Sequence, residues 1–245
     1  MGIPSFIRDL FFPPRCAICG KMLGIASGSP LCIDCRYELS KESARICNGC
    51  GLDQSSCTCL LPILKPEGFL FHVKLYGYSS SNRRSYANRL VYKMKSSQRQ
   101  ELYDDLARKL EKNVLASVTA ECSARSLTPV ITYVPRSRSS VAKYGFDQAE
   151  LLARALSRRL AIPTVTAVKR KHLSDAEMKS LNAAGRFAAG ANAFEANSRC
   201  GVGKNTLLII VDDVITSGAS VYWTAKTAAS LGVTDFAVVS VAKTY

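Results

Sequence analysis

The sequence predicts an α/β protein in which a mostly parallel sheet, flanked by helices, follows a small cysteine-rich N-terminal unit. Three observations support this. Eight of the ten cysteines lie between Cys16 and Cys59. Strand-like and helical stretches alternate beyond residue 68. The last three elements run strand, helix, strand, an order that implies parallel pairing through a crossover. We predict a cysteine-rich domain over residues 1–62 and a larger domain over residues 68–245, joined by the Pro- and Gly-containing stretch "LPILKPEGF".

The cysteine spacing predicts a metal site in the N-terminal unit. Cys16-x-x-Cys19 and Cys32-x-x-Cys35 are separated by 12 residues, which is typical of a tetrahedral Zn²⁺ site held by knuckles. A second site is formed by four further cysteines if the chain binds two ions: Cys47, Cys50, Cys57 and Cys59. The number of zinc ions, one or two, stays open. Disulfides are less favoured because the N-terminus shows no secretion signal, so we expect structural zinc.

The larger domain alternates between apolar runs and amphipathic stretches. Asp147 stands where a helix N-cap belongs, before the amphipathic stretch "QAELLARALSRRL". "KRKHLSDAEMKSLNAAGRFAAGANAF" is polar and irregular, which predicts a long mobile loop that ends in a short strand. The predicted strands are "FLFHVKLYGY", "PVITYVP", "PTVTAV", "TLLIIV" and "DFAVVSVAK", and the other predicted helices are "NRRSYANRLVYKMK", "QRQELYDDLARKLEKNVLAS" and "ASVYWTAKTAASL", the last closed by Gly232.

Positive charge is concentrated in the middle of the chain. The formal net charge is +14, and residues 66–205 carry 24 of the 33 Lys and Arg but 11 of the 19 Asp and Glu. Such a surface favours phosphates or nucleic acid, although a solvated basic face gives the same count. The candidate surface for single-stranded DNA consists of Arg83, Arg84, Arg89, Lys93, Lys95 and Arg99, with Tyr86 and Tyr92 as stacking partners. The alternative is a basic amphipathic helix whose tyrosines pack inward.

No apolar run is long enough for a membrane span, which takes about 18 residues or more. We therefore expect no membrane span and a cytoplasmic location.

The stretch "LLIIVDDVITSGAS" predicts a ligand site. Its apolar run predicts a buried strand, and Asp212 and Asp213 follow at the end where open α/β sheets bind ligands. Carboxylates there accept hydrogen bonds from sugar hydroxyls or hold Mg²⁺. The following "TSGAS", Thr216, Ser217, Gly218, Ala219 and Ser220, opens a helix, and such a turn binds anions through backbone N–H groups. The combination suits a ribose 5-phosphate.

This stretch allows other interpretations. Two acids can simply end a strand in solvent. An NTPase phosphate loop is excluded, because the nearest candidate, "SRCGVGKNT", lacks the first glycine and precedes a strand. A dinucleotide-binding G-x-G-x-x-G after a strand is absent.

The same stretch resembles the phosphoribosyl pyrophosphate (PRPP) signature of type I phosphoribosyltransferases. Together with "DLFFPPRCAICG", "LCIDC" and "YVPRSRSSVAKYGFDQAELLARALSRRL", it makes nearly the whole chain similar to the ComF family of competence-associated proteins. The resemblance implies a type I phosphoribosyltransferase-like fold with an N-terminal zinc finger. It also implies that Asp212 and Asp213 hold the ribose hydroxyls and that Thr216 to Ser220 hold the 5-phosphate.

The resemblance also implies further site residues. Arg136, Ser137 and Arg138 match the pyrophosphate loop, where cations suit a highly charged leaving group. A second family element corresponds to Lys143, Gly145, Phe146, Asp147 and Gln148, although Asp147 is equally explained as a helix cap. The family's flexible catalytic loop corresponds to Arg170, Lys171 and Arg186, with Ala189 standing where Asn is common.

Two hypotheses for function follow. The first is a Mg²⁺-dependent phosphoribosyltransferase that uses PRPP, releases pyrophosphate and is linked to DNA uptake. The alternative is a non-catalytic competence factor that binds single-stranded DNA and other DNA-uptake proteins and senses a ribose phosphate in its pocket. No general base stands out, because neither His72 nor His172 has a catalytic pattern around it.

Overall fold

The structure is a computed structural model that describes residues 13–24, 28–79, 81–82, 84–171, 187–188 and 190–244. It confirms an α/β architecture with a mostly parallel central sheet and a cysteine-rich N-terminal region. Two predicted site or surface residues, Arg83 and Arg186, lie outside the described residues, as do His172 and Ala189.

The elements follow the predicted alternation with shifted bounds. In chain order they are α1 (Ile33–Ser43), a 3₁₀ turn (Lys65–Glu67), β1 (Phe69–Val73), β2 (Tyr76–Tyr78), α2 (Tyr86–Met94), α3 (Gln100–Arg125), β3 (Thr128–Tyr133), α4 (Arg138–Tyr144), α5 (Gln148–Leu160), β4 (Val168–Arg170), β5 (Phe194–Ala196), β6 (Thr206–Ile215), α6 (Ala219–Ala229) and β7 (Asp235–Thr244).

The main sheet is parallel throughout and has the order β1-β7-β6-β3. β2 continues the edge formed by β1, because both pair with β7 on either side of a break at Lys74 and Leu75. β3 ends with Tyr133 opposite Val211 of β6. β6 runs on to Ile215, so its last four residues extend beyond the end of β3. Asp212 and Asp213 therefore border open space on that side.

Helices cover both faces of the sheet, and the strands are buried between them. On one face, α2, α3 and α5 pack leucines such as Leu106 and Leu152 against Ile209 and Val239. On the other face, α6 packs Val221 against Ile210. Two-sided burial explains why β6 and β7 read as continuous apolar runs.

Several predicted boundaries were wrong. "PTVTAV" forms only an isolated bridge from Thr164 to Ile131, and the strand lies at Val168–Arg170 instead. "TLLIIV" continues through the two aspartates, since β7 pairs with β6 as far as Ile215. α4 was missed because seven residues are too few for a clear helical period. Arg138 therefore begins a helix and does not lie in a loop, and Lys143 lies on the same helix.

The N-terminal region packs against the larger unit. Glu42 of α1 is buried and accepts hydrogen bonds from Ser85 Oγ and from the backbone N–H groups of Tyr86 and Ala87, at 2.8 to 2.9 Å. A side chain from the cysteine-rich region thus caps α2. The predicted domain boundaries stay a prediction. Among the described residues, no helix has the length and apolar character that crossing a bilayer requires.

Candidate functional site

The first four cysteines form one cluster. The sulfur atoms of Cys16, Cys19, Cys32 and Cys35 lie within 4.8 Å of one another. Cys16 and Cys19 lie on a turn that Gly20 closes with φ +76°. The second pair is held differently from the expected tight turn, because Cys32 is the N-cap of α1 and Cys35 lies in the first turn of that helix.

The remaining four cysteines of the region form a second cluster with the same spread. The sulfur atoms of Cys47, Cys50, Cys57 and Cys59 also lie within 4.8 Å of one another. Cys47 and Cys50 flank a turn closed by Gly51, φ +73°. Four sulfur ligands at this separation fit tetrahedral Zn²⁺. Two four-cysteine sites are therefore present, which answers the question of one site or two.

In each cluster the local environment lowers the pKa of one cysteine toward the thiolate, the form that binds metal, while burial raises the pKa of Cys35 and Cys59. Burial alone would raise the pKa of Cys16, but backbone N–H groups of Cys19, Cys32 and Ile18 lower it to about 6. Burial would likewise raise the pKa of Cys57, and the nearby Lys74 ammonium helps to lower it to about 6. Each cluster thus has at least one cysteine that is readily deprotonated.

A cavity of about 290 Å³ lies at the carboxyl ends of β3 and β6. It brings together residues that are far apart in the sequence. Of the predicted site residues, it is lined by Arg136, Ser137, Asp147, Gln148, Arg170, Asp212, Asp213 and Ser220. Other predicted residues do not line it: Arg138, Lys143, Gly145, Phe146 and Lys171.

The two aspartates form the acidic side of this cavity. Asp213 is buried, and its Oδ2 accepts a hydrogen bond from Gln148 Nε2 at 3.1 Å. Asp212 Oδ1 accepts a hydrogen bond from the Asp213 backbone N–H at 2.8 Å. Burial, and secondly the Asp213 charge, raise the pKa of Asp212 well above its usual value. No Lys or Arg nitrogen of the described residues lies within 4.0 Å of either carboxylate. A sugar hydroxyl, which donates a hydrogen bond, or Mg²⁺ would therefore stabilise the pair.

The "TSGAS" loop forms a small cradle beside the cavity. Thr216 to Ser220 line a pocket of about 40 Å³, which shares Asp212, Val214 and Ser220 with the larger cavity. Gly218 has φ +81° and is the N-cap of α6. Within the described chain, the N–H groups of Ser217 and Gly218 donate no hydrogen bond. Free N–H groups at a helix start suit a small anion.

Two arginines supply positive charge on the opposite side. The Arg136 guanidinium lies over the Tyr144 ring, 4.4 Å from its centroid. The Arg170 guanidinium lies over the Phe194 ring at 5.2 Å, and burial lowers the pKa of Arg170. Neither guanidinium is within 4.0 Å of a carboxylate oxygen among the described residues. Both cations are therefore available to an anion in the cavity.

Asp147 has a positioning role. Its Oδ1 accepts hydrogen bonds from the N–H groups of Ala149 and Glu150, which confirms the predicted helix cap. Its Oδ2 accepts from the Arg136 backbone N–H at 2.7 Å. This carboxylate thus ties the segment after β3 to α5. Because the Arg136 N–H already donates to Asp147, it is not free to bind a pyrophosphate.

Sequence reasoning missed three features of this site. Ser140 of α4 lines the cavity, and only its place in "RSRSS" could have indicated it. Gln148 Oε1 is buried without a hydrogen-bond partner among the described residues. Leu61 and Ile63 lie against Gly218, at positions that carry no sequence signal.

The predicted basic surface lies apart from this cavity. A groove of about 920 Å³ separates the first cysteine cluster from α2 and is lined by Arg89, Tyr92 and Lys93, together with Tyr78. Tyr92 is 72% exposed, so the alternative in which both tyrosines pack inward is wrong for this residue. Arg99 instead donates a hydrogen bond to the Arg15 carbonyl.

Comparison with known proteins supports the metal sites. A family model described as a double zinc ribbon domain matches residues 7–61. This range contains all eight clustered cysteines, so the chain has a double zinc ribbon at its N-terminus, ahead of an α/β unit. No curated protein matches the chain. The first ribbon is the part that holds Cys16 to Cys35, and the second ribbon is the part that holds Cys47 to Cys59.

Proposed function

We propose that the cavity binds the ribose 5-phosphate part of PRPP, and that the protein is a ComF-type phosphoribosyltransferase. The observation that carries this proposal is the junction of an acidic pocket and an anion cradle at Asp212, Val214 and Ser220. Ribose hydroxyls would meet the aspartates while the 5-phosphate meets the N–H groups of the loop. Arg136 and Arg170 would meet the pyrophosphate.

The proposed reaction is a displacement at C1 of the ribose. The bond from C1 to the pyrophosphate oxygen breaks, its electron pair leaves with pyrophosphate, and a lone pair of the acceptor forms the new bond to C1. The arginines stabilise the leaving group, and the aspartates fix the ribose. Asp212 and Asp213 fit Mg²⁺ as oxygen ligands; when bound with PRPP, that ion supplies further neutralisation of phosphate charge.

A calorimetric titration with PRPP and Mg²⁺ tests the binding step. We expect the wild type to bind and Asp212→Asn to bind at least about tenfold more weakly, a loss of about 1.4 kcal/mol. Asp235→Asn is the matched control, because Asp235 begins β7 at the opposite end of the sheet. Absence of binding by the wild type, or equal binding by Asp212→Asn, would count against the proposal.

Pyrophosphate release from PRPP, measured over a panel of nucleobases and single-stranded DNA, tests catalysis. Release that depends on one acceptor supports the transferase. Binding without release supports the non-catalytic alternative.

The groove beside α2 favours single-stranded DNA binding as a second candidate function. It combines two cations with the exposed Tyr92 ring, on which a base can stack. We expect Tyr92→Ala and Lys93→Ala to weaken binding of a labelled oligonucleotide, with Lys112→Ala on α3 as the control. Affinity should fall steeply with salt, since phosphate contacts release counterions. Salt-independent binding would contradict this function.

A further inference from the structure

The second ribbon is joined to the sheet by two lysines. Lys74 Nζ donates to the Cys57 carbonyl at 3.2 Å, and Lys243 Nζ donates to the Cys59 carbonyl at 2.9 Å. Lys74 is only 2% exposed. Neither ammonium group has a carboxylate oxygen within 4.0 Å among the described residues. A buried cation such as Lys74, with the half-buried Lys243 beside it, requires a nearby negative charge.

A zinc ion held by four thiolates supplies that charge. Zn²⁺ with four Cys⁻ ligands has a net charge of about −2 by the ligand chemistry of such sites. Lys74 and Lys243 together balance it. Among the described residues, no buried lysine stands beside the first cluster in this way: Lys21 pairs with Asp34 on the exposed surface, and Arg15 donates to the Gly20 carbonyl at 3.3 Å at an exposed position. The two lysines are therefore explained as partners of the second metal site.

The segment that leaves the second ribbon reaches the phosphate cradle within five residues. Leu64 is fully buried in the core on the α6 face of the sheet. A methyl group placed on Gly218 would lie 3.1 Å from both Leu61 and Ile63. The Leu61 and Ile63 side chains thus fill the space beside Gly218, so a displacement of this segment would leave the "TSGAS" loop without its packing partner.

The first ribbon contacts the other face of the sheet. Cys16, Cys35 and Leu39 belong to the core that contains α3 and α5. Leu64 belongs to the core that contains α6. The two metal sites are therefore unequal with respect to the phosphate cradle, although each has four cysteine ligands.

We propose that zinc in the second ribbon holds the "TSGAS" loop in its anion-binding shape, through the segment from Leu60 to Leu64, and that zinc in the first ribbon does not. This inference rests on the proposed function, because it concerns the affinity of the cradle for a ribose phosphate. Lys74 and Lys243 act as positioning residues that fix the second ribbon on the sheet.

The test compares Cys50→Ser with Cys19→Ser in the full chain. Both replace an exposed cysteine, one in each cluster. Zinc per chain is measured by mass spectrometry, PRPP affinity with Mg²⁺ by calorimetry, and loop order by hydrogen exchange of residues 216–220. We expect each variant to lose one zinc ion. Cys50→Ser should bind PRPP at least about tenfold more weakly and exchange faster over 216–220, while Cys19→Ser stays within about twofold of wild type.

Equal effects of the two variants, or an unchanged Cys50→Ser, would overturn the inference. If Cys50→Ser does not fold, Ile63→Ala replaces it, with Val202→Ala as the control, because Val202 packs against the same core outside the Leu60–Leu64 segment. Ile63→Ala should retain both zinc ions and still weaken PRPP binding. Failure of the wild type to bind PRPP would refute the proposed function alone, because the exchange of residues 216–220 still decides the inference.

Discussion

The adjacent carboxylates of Asp212 and Asp213 lower the stability of the folded protein. Asp212 has the Asp213 charge beside it and a raised pKa, and no cation among the described residues pairs with it within 4.0 Å. Desolvated like charges oppose folding. A binding role explains why the fold tolerates them, since a ligand cation or hydroxyl relieves the cost. The alternative interpretation, in which the two acids simply end a strand in solvent, does not fit, because Asp213 is buried.

His72 is the residue whose burial predicts a pH dependence of stability. It is fully buried, and its Nε2 lies 2.8 Å from Ser240 Oγ. Burial, and then the charges of Lys74 and Lys243, lower its pKa well below 6.5. The folded state therefore keeps the imidazole neutral while the unfolded state takes up a proton below pH 6.5. Its contribution to stability is complete above that pH and is lost as pH falls.

We expect His72→Phe to reduce the pH slope of stability. Urea unfolding between pH 7.5 and 5.5, with excess zinc, should show that the wild-type unfolding free energy falls more steeply. The difference approaches about 1.4 kcal/mol per pH unit at the acid end. Ser240 keeps its hydrogen bond to the Ala242 carbonyl in the variant. Parallel slopes for the two proteins would show that His72 does not titrate on unfolding.

At the scale of elements, the Glu42 carboxylate of α1 fixes the contact between α1 and α2. Glu42 accepts three hydrogen bonds at the N-terminus of α2, where partial positive charge also favours an anion. Ser85, the N-cap residue, is itself one of its donors. The helix that carries the DNA-binding candidates is thus fixed by the first ribbon.

Glu42→Ala should destabilise the protein by about 2 kcal/mol, because three donors, two of them in buried hydrogen bonds, lose a charged acceptor. Glu38→Ala is the control on the same helix, where the ion pair with Lys41 is exposed and screened by solvent, so its loss should change the stability little. Chemical unfolding measures both. Similar losses in the two variants would contradict the capping role.

For the whole molecule, the first four-cysteine site is part of the core, and the second is tied to the sheet by the hydrogen bonds of Lys74 and Lys243. Cys16, Cys32 and Cys35 belong to the same buried cluster as strands of the main sheet. Metal loss should therefore reach beyond residues 7–61.

The purified chain should contain two zinc ions, and a strong chelator should lower its melting temperature by about 10 °C or more. Elemental analysis and circular dichroism measure these values, with a chelator saturated with zinc as the control. A content of one ion, or melting that is insensitive to the chelator, would be inconsistent with two structural sites.

Local patterns in the sequence predicted much of the fold. Leu102, Leu106 and Leu110 at helical spacing predicted α3, which runs on to Arg125. Asp147 predicted the start of α5, and the knuckle spacing predicted the first cysteine cluster while leaving the second as an open alternative that the structure then confirmed. Each signal lies within a few turns of chain, where residue spacing alone fixes geometry. The sequence did not predict α4 or the ends of β4, because the conformation of such short elements depends on the residues that pack against them.

The sequence by itself determined the zinc ribbon chemistry, the parallel α/β order and the residues of the acidic pair and the "TSGAS" loop. Tertiary structure alone decided that Arg170 and Asp212 line one cavity, that Lys243 donates a hydrogen bond to the Cys59 carbonyl, and that Ile63 lies against Gly218. These partners are far apart in the chain and carry no shared pattern. They meet because strand order and packing on the two faces of the sheet bring them together.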